Sequence, residues 1–114
     1  MTRPFAKGAG IGAGFGILTL ILTCQTALAG PSMSSNWSAT TLEQKECMQR
    51  AERVVRDAGL SRNFDIVGQS VFGQVDAYTA VVRCVTDKGV VIFVVAGPTL
   101  DEAKRHMRNI FDKF

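Results

Sequence analysis

The feature that most constrains the fold is residues 76–97, DAYTAVVRCVTDKGVVIFVVAG, in which two apolar runs flank a turn sequence. The β-branched and aromatic residues of both runs suit a half-buried pleated surface. Asp and Gly between the runs are typical turn formers. The stretch therefore predicts a β-hairpin, with a type I turn over Asp87 and Lys88 and with Gly89 supplying the positive φ of a G1 bulge.

A three-residue turn of this kind sets the register of the two strands. It pairs Thr86 with Val90 and places Cys84 opposite Ile92. One face of the predicted hairpin then carries Tyr78, Ala80, Val82, Cys84, Val90, Ile92, Val94 and Ala96. The other face carries Thr79, Val81, Arg83, Val85, Val91, Phe93 and Val95. Because both faces are largely apolar, we expect both to be covered.

Two amphipathic helices are predicted outside the β-rich region. The first spans residues 42–58, where apolar residues recur at helical spacing, and Gly59 is placed for a left-handed C-cap. Its stripe consists of Cys47, Ala51, Val54 and Ala58. The second begins at about Leu100, and its stripe consists of Leu100, Ala103, Met107, Ile110, Phe111 and Phe114.

Residues 64–72, FDIVGQSVF, complete the predicted sheet because their side chains alternate as in a strand. Gly68 within this strand indicates a bulge or a close approach by another backbone. The short connection after it favours a three-stranded antiparallel meander. We therefore predict an α+β domain over residues 40–114, with the order helix, three-stranded antiparallel meander, helix (αβββα). The pattern leaves open whether the helices share one face of the sheet.

Residues 1–29 have the layout of a secretory signal peptide. Arg3 and Lys7 precede a short apolar run, and residues 27–29, ALA, form a small-x-small cleavage site. The alternative is an uncleaved membrane anchor, which would need about 20 apolar residues. We predict export to the periplasm or the extracellular space, with no membrane insertion after cleavage.

The segment that follows, residues 30–39 (GPSMSSNWSA), predicts a flexible Ser-rich tether. Trp37 is the exception in this polar segment. Two interpretations of it stay open. Its indole either folds over an edge of the core or contacts a partner.

Cleavage of the signal would change both the cysteine count and the charge. Of the three cysteines, Cys24 would leave, and an oxidising compartment favours a disulfide between Cys47 and Cys84. Arg3 and Lys7 would leave with no acidic residue, so the formal net charge of +3 would fall to +1. A nearly neutral domain lacks the electrostatic footprint of a nucleic-acid-binding protein, so no nucleic-acid partner is predicted.

The sequence supplies few of the groups that an active site needs. His106 is the single histidine, and no motif provides the Ser and Asp partners of a triad. With two paired cysteines and one histidine, neither a zinc cage nor a facial triad can be filled. We predict a non-catalytic protein with no metal and no cofactor.

The second face of the hairpin is the remaining functional signal. Arg83 lies in mid-strand, and either its stem covers apolar neighbours or its guanidinium anchors an acidic group on a partner. We predict an interaction module that binds a second copy or an envelope protein through its sheet. The alternative is a small-ligand or inhibitor domain with a cleft between sheet and helices. The predicted interaction face consists of Val81, Arg83, Val85, Val91, Phe93 and Val95.

Overall fold

The structure is a computed structural model that describes residues 30–114, so the predicted signal peptide lies outside the described residues. Its elements are β1 (Ser32–Ala39), α1 (Gln44–Asp57), β2 (Arg62–Val67), β3 (Ser70–Val75), β4 (Tyr78–Val85), a 3₁₀ turn (Thr86–Lys88), β5 (Val90–Gly97) and α2 (Leu100–Lys113). The strands form one antiparallel sheet in the order β1-β5-β4-β3-β2. The α+β class is confirmed, but the predicted αβββα order is wrong because the sheet has five strands.

The segment predicted to be a tether is the edge strand β1. It pairs with β5 without interruption, from Ser32 opposite Gly97 to Ala39 opposite Val90. Its Ser-rich sequence has little β-propensity of its own. The strand forms because the backbone N–H and C=O groups of β5 need partners along that side. The folded domain therefore includes β1 and does not begin at residue 40.

The single strand predicted over residues 64–72 is a hairpin formed by β2 and β3. Its turn is the two-residue loop 68–69. Gly68 has a φ of +57°, which glycine adopts without strain. The close backbone approach falls instead at Gly73, where an added Cβ would lie 2.0 Å from the carbonyl oxygen of Leu60.

The β4–β5 hairpin is present, but its predicted register is wrong by one residue. The loop spans residues 86–89, and Val85 pairs with Val90. Gly89 has a φ of +69°, as predicted. Because strand side chains alternate between faces, a slip of one residue turns the whole of β5 over. Three residues of the predicted interaction face are therefore fully buried in the core: Val91, Phe93 and Val95.

The end of β5 gives a physical reason for the observed register. The ring of Tyr78 lies over Gly97, where an added Cβ would be 2.1 Å from a ring carbon. In the predicted register Pro98 would lie opposite Tyr78, and its ring would occupy this space. The glycine therefore favours the register that places it beneath the tyrosine.

Both helices pack on the same face of the sheet. α1 contacts β3 and β4, whereas α2 contacts β1 and β5. The predicted disulfide joins Cys47 of α1 to Cys84 of β4. The largest fully buried side chains are Phe93, Leu60, Ile110, Val54, Val55, Val71, Val82, Val91 and Val95. Within residues 30–114, no helix or strand covers the opposite face of the sheet.

The end of α1 confirms the role predicted for Gly59. Gly59 has a φ of +85°. Its N–H donates to the carbonyl of Arg56, and the N–H of Leu60 donates to that of Val55. These two bonds form a Schellman motif, and the side chains of Leu60 and Val55 are both fully buried. The motif ends the helix and directs the chain into β2.

Candidate interaction surface

We call the face of the sheet opposite the helices the outer face. Its most exposed apolar side chains are Trp37 (64% exposed), Met33 (61%), Val67 (58%) and Ile92 (37%). The strand register places further residues beside them: Phe72, Val81, Arg83, Val85, Val90 and Val94. The valines and Phe72 are half-buried by their neighbours. The outer face thus carries exposed apolar side chains among polar ones, which include Ser35, Asp65, Gln74 and Thr79.

Half of the predicted interaction face lies on the outer face. Val81, Arg83 and Val85 are there, on the central strand β4. The other half, on β5, points into the core. In its place β5 presents Ile92 and Val94, which the predicted register assigned to the opposite face.

Residues 30–39 predict a tether, so the sequence does not place the side chains of β1 on this surface. Trp37 lies opposite Ile92, and Met33 opposite Ala96. The high exposure of Trp37 means that it does not cover the core. The even spacing of Met33 and Trp37, which puts both apolar side chains on one face of an extended chain, is the sequence signal for a strand.

Arg83 is the charged residue at the centre of the outer face. Its guanidinium donates a hydrogen bond to Ser70 Oγ at 3.1 Å. Among residues 30–114 it forms no ion pair with a carboxylate. Its neighbours along β4 are Val81 and Val85, and Ile92 lies opposite. The guanidinium has further N–H groups that could donate charge-assisted hydrogen bonds to a carboxylate.

The size of the outer face decides what it can hold. Five strands about 4.8 Å apart and about 20–25 Å long give a surface of roughly 500 Å². The largest apolar patch on a typical monomer is itself about 300–600 Å² and is often functional. Contact with a surface of the same size would bury about 1,000 Å² in total, which is the lower limit for a specific protein interface.

His106 lies on the buried side of the sheet, beneath Tyr78. It is 7% exposed, and its ring centroid is 5.1 Å from that of Tyr78. Its Nδ1 is buried and has no hydrogen-bond partner within residues 30–114. Nε2 lies 4.0 Å from the Glu102 carboxylate. Burial, with a further contribution from Arg105, lowers the pKa of His106 below its ordinary value. The imidazole is a packed core group in its neutral form.

We expect the free energy of unfolding to fall when the pH is lowered from about 7.5 to about 5.5. In the unfolded chain the pKa of His106 returns to about 6.5, so the unfolded state takes up a proton before the folded state does. The contribution of neutral His106 to the free energy of unfolding is therefore fully present above about pH 6.5 and is lost as the pH falls below it. Urea unfolding of the parent and of His106→Gln at both pH values measures this effect. An equal loss in the two proteins would contradict the assignment to His106.

Other kinds of site find little support in the part of the chain that the structure describes. No pocket opens between the sheet and the helices of residues 30–114. These residues also contain no cluster of potential metal ligands. Neither α1 nor α2 is long and apolar enough to cross a membrane.

Comparison of the chain with family models, with curated proteins and with solved structures gives no match.

Proposed function

We propose that this protein is an exported, non-catalytic interaction domain that binds a second copy or an envelope protein through its sheet. The observation that carries the proposal is the outer face, which no element of residues 30–114 covers and which bears exposed apolar side chains around Arg83. A five-stranded sheet with one face open to water is stabilised when another protein surface covers that face.

Two features support export to the periplasm or the extracellular space. The Cys47–Cys84 disulfide fits an oxidising compartment. Residues 1–29 carry the composition and the cleavage motif of a signal peptide. A domain of this size with a thin core gains much from such a bridge.

The alternative, a small-ligand or inhibitor domain, needs a cleft between the sheet and the helices. Within residues 30–114 that space is filled by packed side chains such as Phe93 and Ile110, and no pocket is found there. No observation favours this alternative over binding by the sheet.

A photocrosslinking experiment tests the proposal. Phe72, which lies on the outer face in strand β3, is replaced by p-benzoylphenylalanine, which keeps an aromatic ring at that position. Lys104, exposed on α2, receives the same residue as the control. We expect irradiation of cells to give a discrete adduct from position 72 and none from position 104. Arg83→Glu in the same chain should reduce that adduct, because it places a carboxylate opposite the partner's carboxylate.

The mass of the adduct identifies the occupant of the outer face. Twice the chain mass indicates a second copy, and another discrete mass indicates an envelope protein. Equal labelling from positions 72 and 104, or no adduct from position 72, would show that the outer face is not a binding surface.

A further inference from the structure

The two edges of the sheet are protected to very different degrees. β2, at one edge, carries Arg62 and Asp65, and its pairing with β3 is interrupted by a bulge between them. Asn63, inside that bulge, has a positive φ of +47°. Charges and bulges are the devices that prevent an edge strand from pairing with another chain.

In the part of the chain that the structure describes, β1 at the other edge has none of these devices. Its sequence, SMSSNWSA, contains no charge and no proline. Its eight residues pair with β5 in a regular register without a bulge. An edge of this kind is a template for another strand.

The hydrogen-bond pattern shows which backbone groups of β1 face the open edge. The N–H of Thr40 donates to the carbonyl of Gly89 at 2.9 Å. Hydrogen-bonded pairs alternate along an antiparallel ladder, so even-numbered residues of β1 bond to β5 and odd-numbered ones point outward. The N–H of Trp37 fits this pattern, since it is bonded to its neighbour's side-chain oxygen, Asn36 Oδ1, at 2.8 Å.

We infer that β1 pairs with β1 of a second copy, antiparallel and about a two-fold axis at Ser35. This inference rests on the proposed function, that the sheet mediates association, and it names the partner and the edge. Ser35 then faces Ser35 of the second copy, and Met33 faces Trp37 of the second copy. Each of these facing pairs exchanges both backbone hydrogen bonds. The bond from Trp37 N–H to Asn36 is replaced by one to the carbonyl of Met33 in the other copy.

The register follows from two requirements. Facing residues must both have outward backbone groups, which pairs odd-numbered residues with odd-numbered ones. Among these registers, the one centred on Ser35 brings together Trp37 and Met33, the two most exposed large apolar side chains of the outer face. A thioether against an aromatic ring is a favourable contact. Pro31, which has no N–H, limits the pairing at the start of β1.

A second copy suits this edge better than a strand from another protein. β1 is uncharged, so two copies meet at the axis without like-charge repulsion. The pairing uses the open edge of both copies, and the protected β2 remains at each end. The assembly therefore closes as a dimer with a ten-stranded sheet and does not extend into a fibre.

The helices also leave room for this dimer. α2 contacts both β1 and β5 on the inner side of the sheet. Neighbouring strands lie about 4.8 Å apart, so the α2 helices of two copies would lie about 10 Å apart. That distance is close to the usual 8–10 Å between packed helices. The two outer faces become one continuous surface on the other side.

Charge variants of Ser35 test the inference, because this position faces itself only in the proposed register. The full chain is expressed as parent, Ser35→Lys, Ser35→Glu and the neutral control Ser35→Thr, and the purified proteins are measured by light scattering. We expect dimers for the parent and for Ser35→Thr. Each charged variant alone should be a folded monomer, with dimer affinity lowered at least tenfold, and an equal mixture of the Lys and Glu variants should recover the dimer. Ser35→Pro should also be a folded monomer, since its N–H points outward.

Three results would overturn the inference: a monomeric parent, charged variants that each remain dimeric, or a mixture that stays monomeric. The proposed function is judged separately by the adduct from position 72, which lies on β3, far from β1. An adduct there with a monomeric parent overturns the edge dimer and leaves the proposed function in place. A Ser35-dependent dimer without that adduct supports the edge dimer and overturns binding through the outer face.

Discussion

Replacing Phe93 with alanine should lower the free energy of unfolding by about 3–5 kcal/mol. Phe93 is fully buried beneath α2, and its ring lies 5.2 Å from that of Phe111 and 5.3 Å from that of Phe114, centroid to centroid. Removal of the ring loses both edge-on contacts and leaves a cavity that the sheet and helix cannot close fully. Urea unfolding at neutral pH, monitored by circular dichroism, measures the loss.

The neighbouring residue provides the matched control for this substitution. Ile92 lies on the outer face and is 37% exposed. Ile92→Ala should therefore cost about 1 kcal/mol or less in a monomer. Similar losses for the two variants, or a larger loss for Ile92→Ala, would mean that β5 is turned the other way.

Replacing both bonded cysteines with alanine should lower the free energy of unfolding by about 4 kcal/mol. Cys47 and Cys84 are 37 residues apart. A bridge that closes a loop of this length lowers the entropy of the unfolded chain and thereby raises its free energy by about this amount. Both side chains are fully buried between α1 and β4. Alanine is used because a serine at either position would bury an unpaired hydroxyl group.

The control for this prediction is a reducing agent. The parent should lose stability when it is reduced, whereas Cys47→Ala with Cys84→Ala should not respond. Equal unfolding midpoints for the oxidised parent and the double variant would show that the bridge contributes nothing to stability.

Local patterns in the sequence predict much of this fold. The spacing of apolar residues predicts both helices, and Gly59 predicts the end of the first one. The two cysteines that the predicted signal cleavage would leave predict the bond between Cys47 and Cys84. These features depend on residues near each other in sequence or on simple pairing, so composition and periodicity determine them.

The register of the β4–β5 hairpin could not be predicted in the same way. Loops of three and four residues both accept the sequence before Gly89, and they differ by one residue in pairing. Because a shift of one residue turns β5 over, Phe93 lies in the core and not on the predicted surface. The information that decides the register lies in the tertiary contact of Tyr78 with Gly97, which no local pattern reveals.

The sequence predicts only part of the candidate site, because non-local contacts also decide which residues lie there. The β4 residues Val81, Arg83 and Val85 lie on the outer face as expected. The β1 residues could not be placed there because a Ser-rich segment becomes a strand only when β5 is present beside it. Trp37 is unusual in this polar segment, but its position on the outer face depends on the non-local pairing of β1 with β5, in which it lies opposite Ile92.

The pairing of the first strand with the last has a consequence for the order of assembly during synthesis. Ser32 pairs with Gly97, so β1 cannot be paired until β5 has been made. The segments between them can meanwhile approach one another through shorter loops, which cost less entropy to close. A nascent chain therefore carries β1 unpaired while α1, β2, β3 and β4 are made, and the pairing of β1 with β5 completes the five-stranded sheet.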